Sequence, residues 1–358
     1  MKAYKNSPLV PMDLSHLKTM MDNTGVLQHA THGIPCFKSG YTTDDNARAL
    51  IVILQSQEIF GNQETEPLAI TCLSFLQYTH MPNGLFHNFV SFDRRFLDKE
   101  DSGDSFGRAV WACGYTLCSG LNPNMKGAAK KMIDEAMPQA MLLEDPRPIA
   151  FVIMGLHYYL KAFPKQPGVF EKILALGEKL LCMLEQNSDS EWVWFENILT
   201  YCNARIPQAL FLAFDSTKDN RFLEAAEKSF GFLLSKTINK GIFAPVGQNG
   251  WFPKGGEKAC FDQQPIDAGS TVEAAVSAFN TTGNTKYVEA AYCAFKWFFG
   301  GNIHGLNVYD SARGACFDGL VSDGVNLNQG AESTLTFILA RMTLENIMMQ
   351  IFETEKSE

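Results

Sequence analysis

Acids, amides and arginines are gathered along this chain in short clusters, each running directly into a small, apolar stretch. Residues 42–48 hold Asp44, Asp45, Asn46 and Arg48, residues 101–108 hold Asp101, Asp104 and Arg108, and residues 144–148 hold Glu144, Asp145 and Arg147. Further on come Trp194 and Glu196, followed by Asn203 and Arg205; then Asp262, Gln263, Gln264 and Asp267; and finally Asn328, Gln329 and Glu332. Two carboxyl groups facing one bond are what glycosidic cleavage requires, one protonating the leaving oxygen and the other activating water or attacking the anomeric carbon. Sugar rings also want aromatic faces for their C–H surfaces, and amide or guanidinium groups for their hydroxyls. Trp192, Trp194, Phe195, Trp251, Phe252 and Phe261 stand beside the acids and supply the first; the amides and arginines supply the second.

Asp45, Asp104, Glu196 and Asp262 are therefore the catalytic candidates, with Glu196 assigned as acid and Asp104 or Asp262 as base. Asp44, Asn46, Arg48, Arg108, Trp194, Asn203, Arg205, Trp251, Gln263, Gln264, Asp267, Asn328, Gln329 and Glu332 are the substrate-binding candidates. Each has a plainer reading. An Asp ahead of a helix is by default an N-cap, which suits Asp44 and Asp267. Arg48, Arg108 and Arg205 can clamp carboxylates across neighbouring helix starts, and Glu332 can simply favour a helix dipole. Asp318 and Asp323 read first as turn residues beside glycine, with a place lining the rim as the alternative. The seven histidines include no His-x-x-x-His pair and no His/Cys cluster, so neither a metal nor a cofactor is expected, and His157 reads as a core residue.

The segments after the clusters must position these groups. Residues 46–55, 106–117, 149–160, 206–214, 268–279 and 331–342 are apolar on nearly every side and rich in Ala and Gly, which predicts helices buried all round. Between them lie amphipathic helices with solvated charge, predicted at 13–21, 65–76, 125–137, 168–184, 220–235 and 284–299. Two of these are visibly copies, since Phe222-Leu223-Glu224-Ala225-Ala226 recurs as Tyr287-Val288-Glu289-Ala290-Ala291; Asn46-Ala47-Arg48 likewise recurs as Asn203-Ala204-Arg205. Repeats of this kind imply stacked helical hairpins, none of which can bury its apolar face alone. The expected fold is an all-α, (α/α)6 toroid of six hairpins with short β segments at the rim, at Trp192–Phe195 and 85–90. It is expected to form a single domain over residues 1–352, with 353–358 as a frayed tail.

A formal charge of −9 disfavours nucleic acid or an anionic membrane as partner, because both are bound through Lys and Arg. Nine scattered cysteines, odd in number and without Cys-x-x-Cys spacing, read as free thiols in a reducing compartment. Met1–Met12 carries no apolar run of signal-peptide length, so a cytoplasmic location is expected.

Four stretches resemble bacterial six-hairpin glycosidase-like proteins, a group found alone or attached to glycosyltransferases. They are 41–50 (Tyr41 to Leu50), Trp194-Phe195-Glu196-Asn197 with 199–205, 261–267 (Phe261 to Asp267), and 326–334 (Asn326 to Thr334). The resemblance spans nearly the whole chain and implies the (α/α)6 toroid, with an oligosaccharide as substrate and a glycosyltransferase as a possible partner. It is poorly specific for reaction, because toroids of this type include inverting hydrolases, phosphorylases, lyases and epimerases. The leading expectation is an inverting glycoside hydrolase acting on a short soluble oligosaccharide. A phosphorylase holding phosphate through arginine, a sugar 2-epimerase, and a non-catalytic carbohydrate-binding partner of a glycosyltransferase stand as alternatives; the acid-rich, histidine-poor clusters count against the epimerase.

Overall fold

A computed structural model describes residues 9–61, 63–99 and 103–357, leaving aside the side chains at 63 and 350–357. Twelve α-helices are found among the described residues: α1 (Ser15–Met20), α2 (Thr43–Phe60), α3 (Glu66–Thr79), α4 (Asp104–Cys118), α5 (Pro123–Ala140), α6 (Pro146–Ala162), α7 (Val169–Asn187), α8 (Arg205–Thr217), α9 (Asn220–Thr237), α10 (Pro265–Thr282), α11 (Lys286–Lys296) and α12 (Ala331–Ser357).

Local chemistry sets where several of them begin and end. The Thr42 hydroxyl accepts the Asp45 N–H at 3.0 Å and opens α2, which stops at Gly61 in the left-handed region. Asn122 caps α5 with Pro123 in the first turn, Asp219 caps α9, and Asp13 accepts the Ser15 N–H at the start of α1.

Helices α2, α4, α6, α8, α10 and α12 pack side by side in that order, and α12 returns to α2, closing an inner ring. Burial explains the sorting. In α4 every residue from Ser105 to Leu117 is buried, whereas in outer helix α7 the buried set is Val169, Ile173, Leu176, Gly177, Leu180 and Leu184, a single stripe at helical spacing. Each fully buried Leu, Ile or Phe side chain contributes roughly 1.5–3 kcal/mol, so a helix apolar all round is stable only when walled in. The last inner helix is braced by the segment that precedes the ring. Short α1 backs α12, with His16 Nε2 bonded to the Gln329 carbonyl at 2.9 Å and Arg341 donating to the Val10 carbonyl at 2.8 Å. The architecture is an all-α (α/α)6 toroid built on one continuous hydrophobic core.

Strands are two or three residues long and sit between helices, where they shape the rim. Tyr41–Thr42 pairs with Phe89–Val90, within the stretch expected from sequence. Trp192–Phe195 is not a strand; the pairing there is made by Ile198–Leu199 with Phe252–Pro253. The aromatic run is pulled inward instead, because Trp194 and Phe195 are core side chains. α12 continues to Ser357, so the residues expected as a frayed tail are helical as far as 357. Among the described residues no helix is long and apolar enough to cross a membrane. All nine cysteines are free thiols, with Cys182 and Cys260 exposed.

The tightest seam in the ring lies between α4 and α6. A Cβ on Gly114 would stand 2.2 Å from the Gly155 carbonyl oxygen, and one on Gly155 would stand 2.6 Å from that of Val110. Backbone cannot retreat as a flexible side chain can. Gly114→Ala is therefore expected to lower stability by about 1–3 kcal/mol despite alanine's better helix propensity. Urea denaturation should show a lower midpoint at unchanged slope; an equal or higher midpoint would mean the helices are not in contact there.

Candidate active site

At the N-terminal end of the inner ring, the starts of α2, α10 and α12 and the loops before them enclose a cavity of about 450 Å³. Asp44 and Asp45 reach it from the first turn of α2, Asp262 and Gln264 from the segment opening α10, and Glu332 from the first turn of α12. Gln28, His29, Asn88, Gln248 and Asp318 complete its polar wall from the rim loops, and Phe89 offers an apolar face. Helix N-termini carry partial positive charge and free N–H groups, which is why acids gather at this end.

Arg48 lies beneath this wall, almost fully buried. Its Nη2 is 3.1 Å from Asp44 Oδ1 and 2.7 Å from Glu332 Oε2, and its Nη1 is 3.7 Å from Asp45 Oδ1. Arg108 Nε approaches Asp44 Oδ1 from the other side at 2.7 Å. Two cations thus serve three carboxylates, and the excess negative charge is distributed unevenly. Burial would raise Glu332, but Arg48 and Arg108 outweigh it and hold this carboxyl below its ordinary range. For Asp45 burial dominates, opposed by Arg48 and reinforced by the Asp44 charge, and its carboxyl is pushed up to about 7. Burial likewise raises Asp44 in spite of Arg108 and Arg48, and raises Asp318 although that residue accepts the Gly330 N–H and the Ser333 hydroxyl, each at 2.8 Å. One cavity therefore holds a carboxylate kept ionised and a carboxyl able to keep its proton near neutrality.

A second polar cluster adjoins it at the starts of α4, α6 and α8. Arg147 Nη2 is 3.0 Å from Glu196 Oε2, while the same guanidinium donates to the Tyr201 carbonyl and to the Thr200 hydroxyl. The Tyr201 hydroxyl donates to Asp104 at 2.7 Å. Asp267, on the first turn of α10, is only 5% exposed and has one carboxyl oxygen without a partner among the described residues. Burial lifts it to about 7, against the backbone N–H groups of Asn203 and Cys202 and the charge of Arg147.

Of the four catalytic candidates, Asp45 and Asp262 line the cavity; Asp104 and Glu196 belong to the neighbouring cluster, with Tyr201 and Arg147 as partners. Among the binding candidates Asp44, Gln263, Gln264 and Glu332 line it and Arg48 supports it. Gln263 does so with its side chain committed elsewhere, to the Trp297 indole and the Cys260 carbonyl. Several residues hold the fold rather than face a ligand. Trp194 is 0% exposed and presents no stacking face. Asn46 bridges the Val26 N–H and the Thr42 carbonyl, and Asn203 closes its own turn through Thr200. Gln329 donates to Asp310, and Asn328 accepts from the His32 N–H, both outside the cavity lining. Arg205 pairs with Glu273 at 2.5 Å and lies over the Trp111 ring. Trp251 is partly exposed and meets the Tyr201 ring, with centroids 6.2 Å apart. Asp101, in the second sequence cluster, lies outside the described residues.

Gln28, His29, Asn88 and Gln248 are absent from the sequence candidates, and Asp318, read first as a turn residue, stands beside them at the rim. All five sit on rim loops and none opens a helix, so local pattern gives no sign that they converge. Among the described residues no group of three His, Cys, Asp or Glu side chains stands close enough to hold a metal ion.

No family model and no curated protein sequence matches the chain. Its fold is shared by solved sugar-enzyme structures at low identity. Cellobiose 2-epimerase from Bacillus thermoamylovorans B4167 matches at TM-score 0.72 and 11% identity, over 93% of this chain and 94% of that one. A D-mannose isomerase matches at 0.71 and 12%, over 92% and 93%. The GH76A α-1,6-mannanase from Salegentibacter sp. HEL1_6 matches at 0.63 and 12%, over 92% and 95%. All are six-hairpin (α/α)6 toroids, and this chain has that fold.

The buried Asp267 carboxyl carries a pH signature. Its folded pKa of about 7 stands above the ordinary aspartate value of 3.8, so between these the folded state holds a proton that the unfolded chain has released. Stability contributed by that proton is complete below about pH 4 and is lost as pH rises to about 7, on the order of 1 kcal/mol per pH unit. Asp267→Asn, which keeps an acceptor for the two backbone N–H groups, is expected to flatten this dependence and to be more stable than the parent at pH 8. Melting temperatures of both proteins from pH 4 to 8 check it; parallel curves would show that the carboxyl is ionised when folded.

Proposed function

We propose that the chain is a carbohydrate-active enzyme, and specifically a glycoside hydrolase, whose reaction takes place in the N-terminal cavity. The observation that carries this reading is Asp45, a carboxyl raised to about 7 in the wall of the same cavity as Asp262. Asp45 donates its proton to the glycosidic oxygen as the bond to the anomeric carbon breaks, and Asp262 takes a proton from the attacking water. Asp45 comes from the start of α2 and Asp262 from the segment opening α10; the reaction is proposed as inverting, in which the two carboxyl groups stand roughly 6.5–9.5 Å apart to admit the water. Glu332, held ionised by Arg48 and Arg108, together with Gln264, Gln248 and Asn88, provides partners for sugar hydroxyls, and Phe89 provides a ring face. Glu196, whose oxygens are committed to Arg147, acts as a strut in this reading rather than as the acid.

A second reading rests on His29. It lies in the cavity wall within electrostatic reach of Asp318 and Glu332, where an imidazole can remove a proton from carbon next to a sugar carbonyl. Solved structures of the same fold include proteins described as an epimerase and an isomerase.

One assay separates the readings. Gluco-, manno- and galacto-oligosaccharides are incubated with and without phosphate, and release of reducing ends is followed; free disaccharides and monosaccharides are incubated in D₂O, and deuterium at C2 is followed by NMR. Hydrolysis is expected without phosphate, with the new anomeric centre inverted, and with kcat reduced roughly 10²–10⁴-fold in Asp45→Asn and Asp262→Asn. Deuterium incorporation that His29→Ala removes, with no bond cleavage, would replace the hydrolase by an epimerase. Phosphate-dependent cleavage would make it a phosphorylase, and sugar binding without any turnover would leave a binding role beside a glycosyltransferase.

A further inference from the structure

The opposite end of the toroid holds a second cavity, also of about 450 Å³, to which all six inner helices contribute. Its position is unexpected for polar groups, because these residues lie on helices that are otherwise buried and apolar on nearly every side. Gln208 and Glu273 form its floor; Ser277 and Asn346 stand on the wall, and Glu58 and Asn280 on the rim. Placing amides and carboxylates at core positions costs free energy unless each polar atom finds a partner.

Some partners are present. Arg205 Nη1 donates to Gln208 Oε1 at 2.7 Å and its Nη2 to Glu273 Oε1 at 2.5 Å, while Gln208 donates to the Ser277 hydroxyl at 3.1 Å. The Tyr115 hydroxyl donates to Glu58 at 2.8 Å. Two lining residues remain incomplete. The indole N–H of Trp111, a residue 3% exposed, and the side-chain oxygen of Gln55 are buried without hydrogen-bond partners among the described residues. A donor and an acceptor are left open in the wall of one polar cavity.

Charge identifies the class of occupant. Glu273 is neutralised by Arg205, and Glu58 shares the rim with Lys161, whose charge acts on it. The formal charges of Glu58, Glu273, Lys161 and Arg205 sum to zero, which favours neither an anion nor a cation. What remains is a set of amides and hydroxyls beside aromatic side chains, Tyr115 and Tyr158, whose rings meet edge-on at 4.9 Å. That combination recognises hydroxyl-rich neutral molecules, and the volume falls in the range of small-ligand sites.

We propose that this cavity is a second binding site, separate from the N-terminal one, for a neutral polyhydroxylated ligand no larger than a disaccharide. It does not rest on the chemistry assigned to the other end. The ligand enters past Asn280 and Glu58, settles on Gln208 and Ser277, and supplies partners to Trp111 and Gln55.

The test uses the full chain with glucose, mannose, myo-inositol, cellobiose and maltose as probes, and with inorganic phosphate and tetramethylammonium as charged controls. Binding is read by calorimetry and by the Trp111 indole N–H signal, one of five tryptophan signals, assigned by its loss in Trp111→Phe. Asn280→Trp blocks the cavity from its exposed rim, where the change does not disturb the core, and Gln264→Trp blocks the N-terminal cavity. At least one neutral probe is expected to shift the Trp111 signal, with affinity reduced about tenfold or more by Asn280→Trp and retained in Gln264→Trp. The proposal is overturned if no neutral probe shows binding sensitive to Asn280→Trp, if all binding disappears in Gln264→Trp, or if only a charged control binds. Circular dichroism of both variants shows whether they fold; a misfolded Asn280→Trp is replaced by Asn280→Ala with Asn346→Ala, read the same way.

Discussion

Everything at the N-terminal end depends on one buried guanidinium. Arg48 joins Asp44 and Asp45, at the start of the first inner helix, to Glu332, at the start of the last. Taking an arginine and several carboxylates out of water costs several kcal/mol per ion, and mutual attraction offsets this only where geometry is good and further bonds satisfy the remaining oxygens. Here Arg108 and the Thr42 hydroxyl supply some of those bonds, yet carboxylates still outnumber guanidinium groups. That imbalance makes the cluster more than a strut. With too few cations to hold every acid ionised, burial decides the rest, and the acids divide into groups that give up a proton easily and groups that keep it.

The toroid amplifies this division because its two ends are chemically opposite. Inner helices all run the same way, so their N-terminal partial charges gather at one mouth, where acids are welcome, and their C-terminal ends gather at the other. The outer helices line neither cavity; their single apolar stripes wall in the inner ring. Glycines at the α4–α6 seam bring neighbouring inner helices into backbone contact, which sets how far apart groups on adjacent helix starts can stand. α1 and the Val10 carbonyl brace α12, the helix that carries Glu332 into the cavity wall.

Much of the fold was legible because buried and amphipathic helices leave different patterns, and these alternate regularly from Asn46 to Met342. The lining of the N-terminal cavity was legible in part. Clusters just ahead of inner helices marked Asp44, Asp45, Asp262 and Glu332, since a helix start fixes where a side chain must point. The same clue failed for Trp194 and Asn203: an aromatic or amide in a tight turn fills the core or closes the turn as readily as it faces a ligand, and composition does not separate the two. His29, Gln248 and Asp318 lie on rim loops with no helical phase to orient them.

By itself, then, the sequence determined the helices, their division into inner and outer sets, and the acidic character of one end. Those are consequences of hydrophobic periodicity and capping, which act over a few residues. Which acid keeps a proton was decided only by the tertiary structure. A carboxyl's ionisation depends on burial and on charges a few ångströms away, and for Asp45 the opposing and reinforcing groups include Glu332, which comes from the far end of the chain. The polar cavity at the other end was equally invisible, because Gln55, Gln208 and Glu273 are isolated interruptions in apolar helices until closure of the ring brings them together.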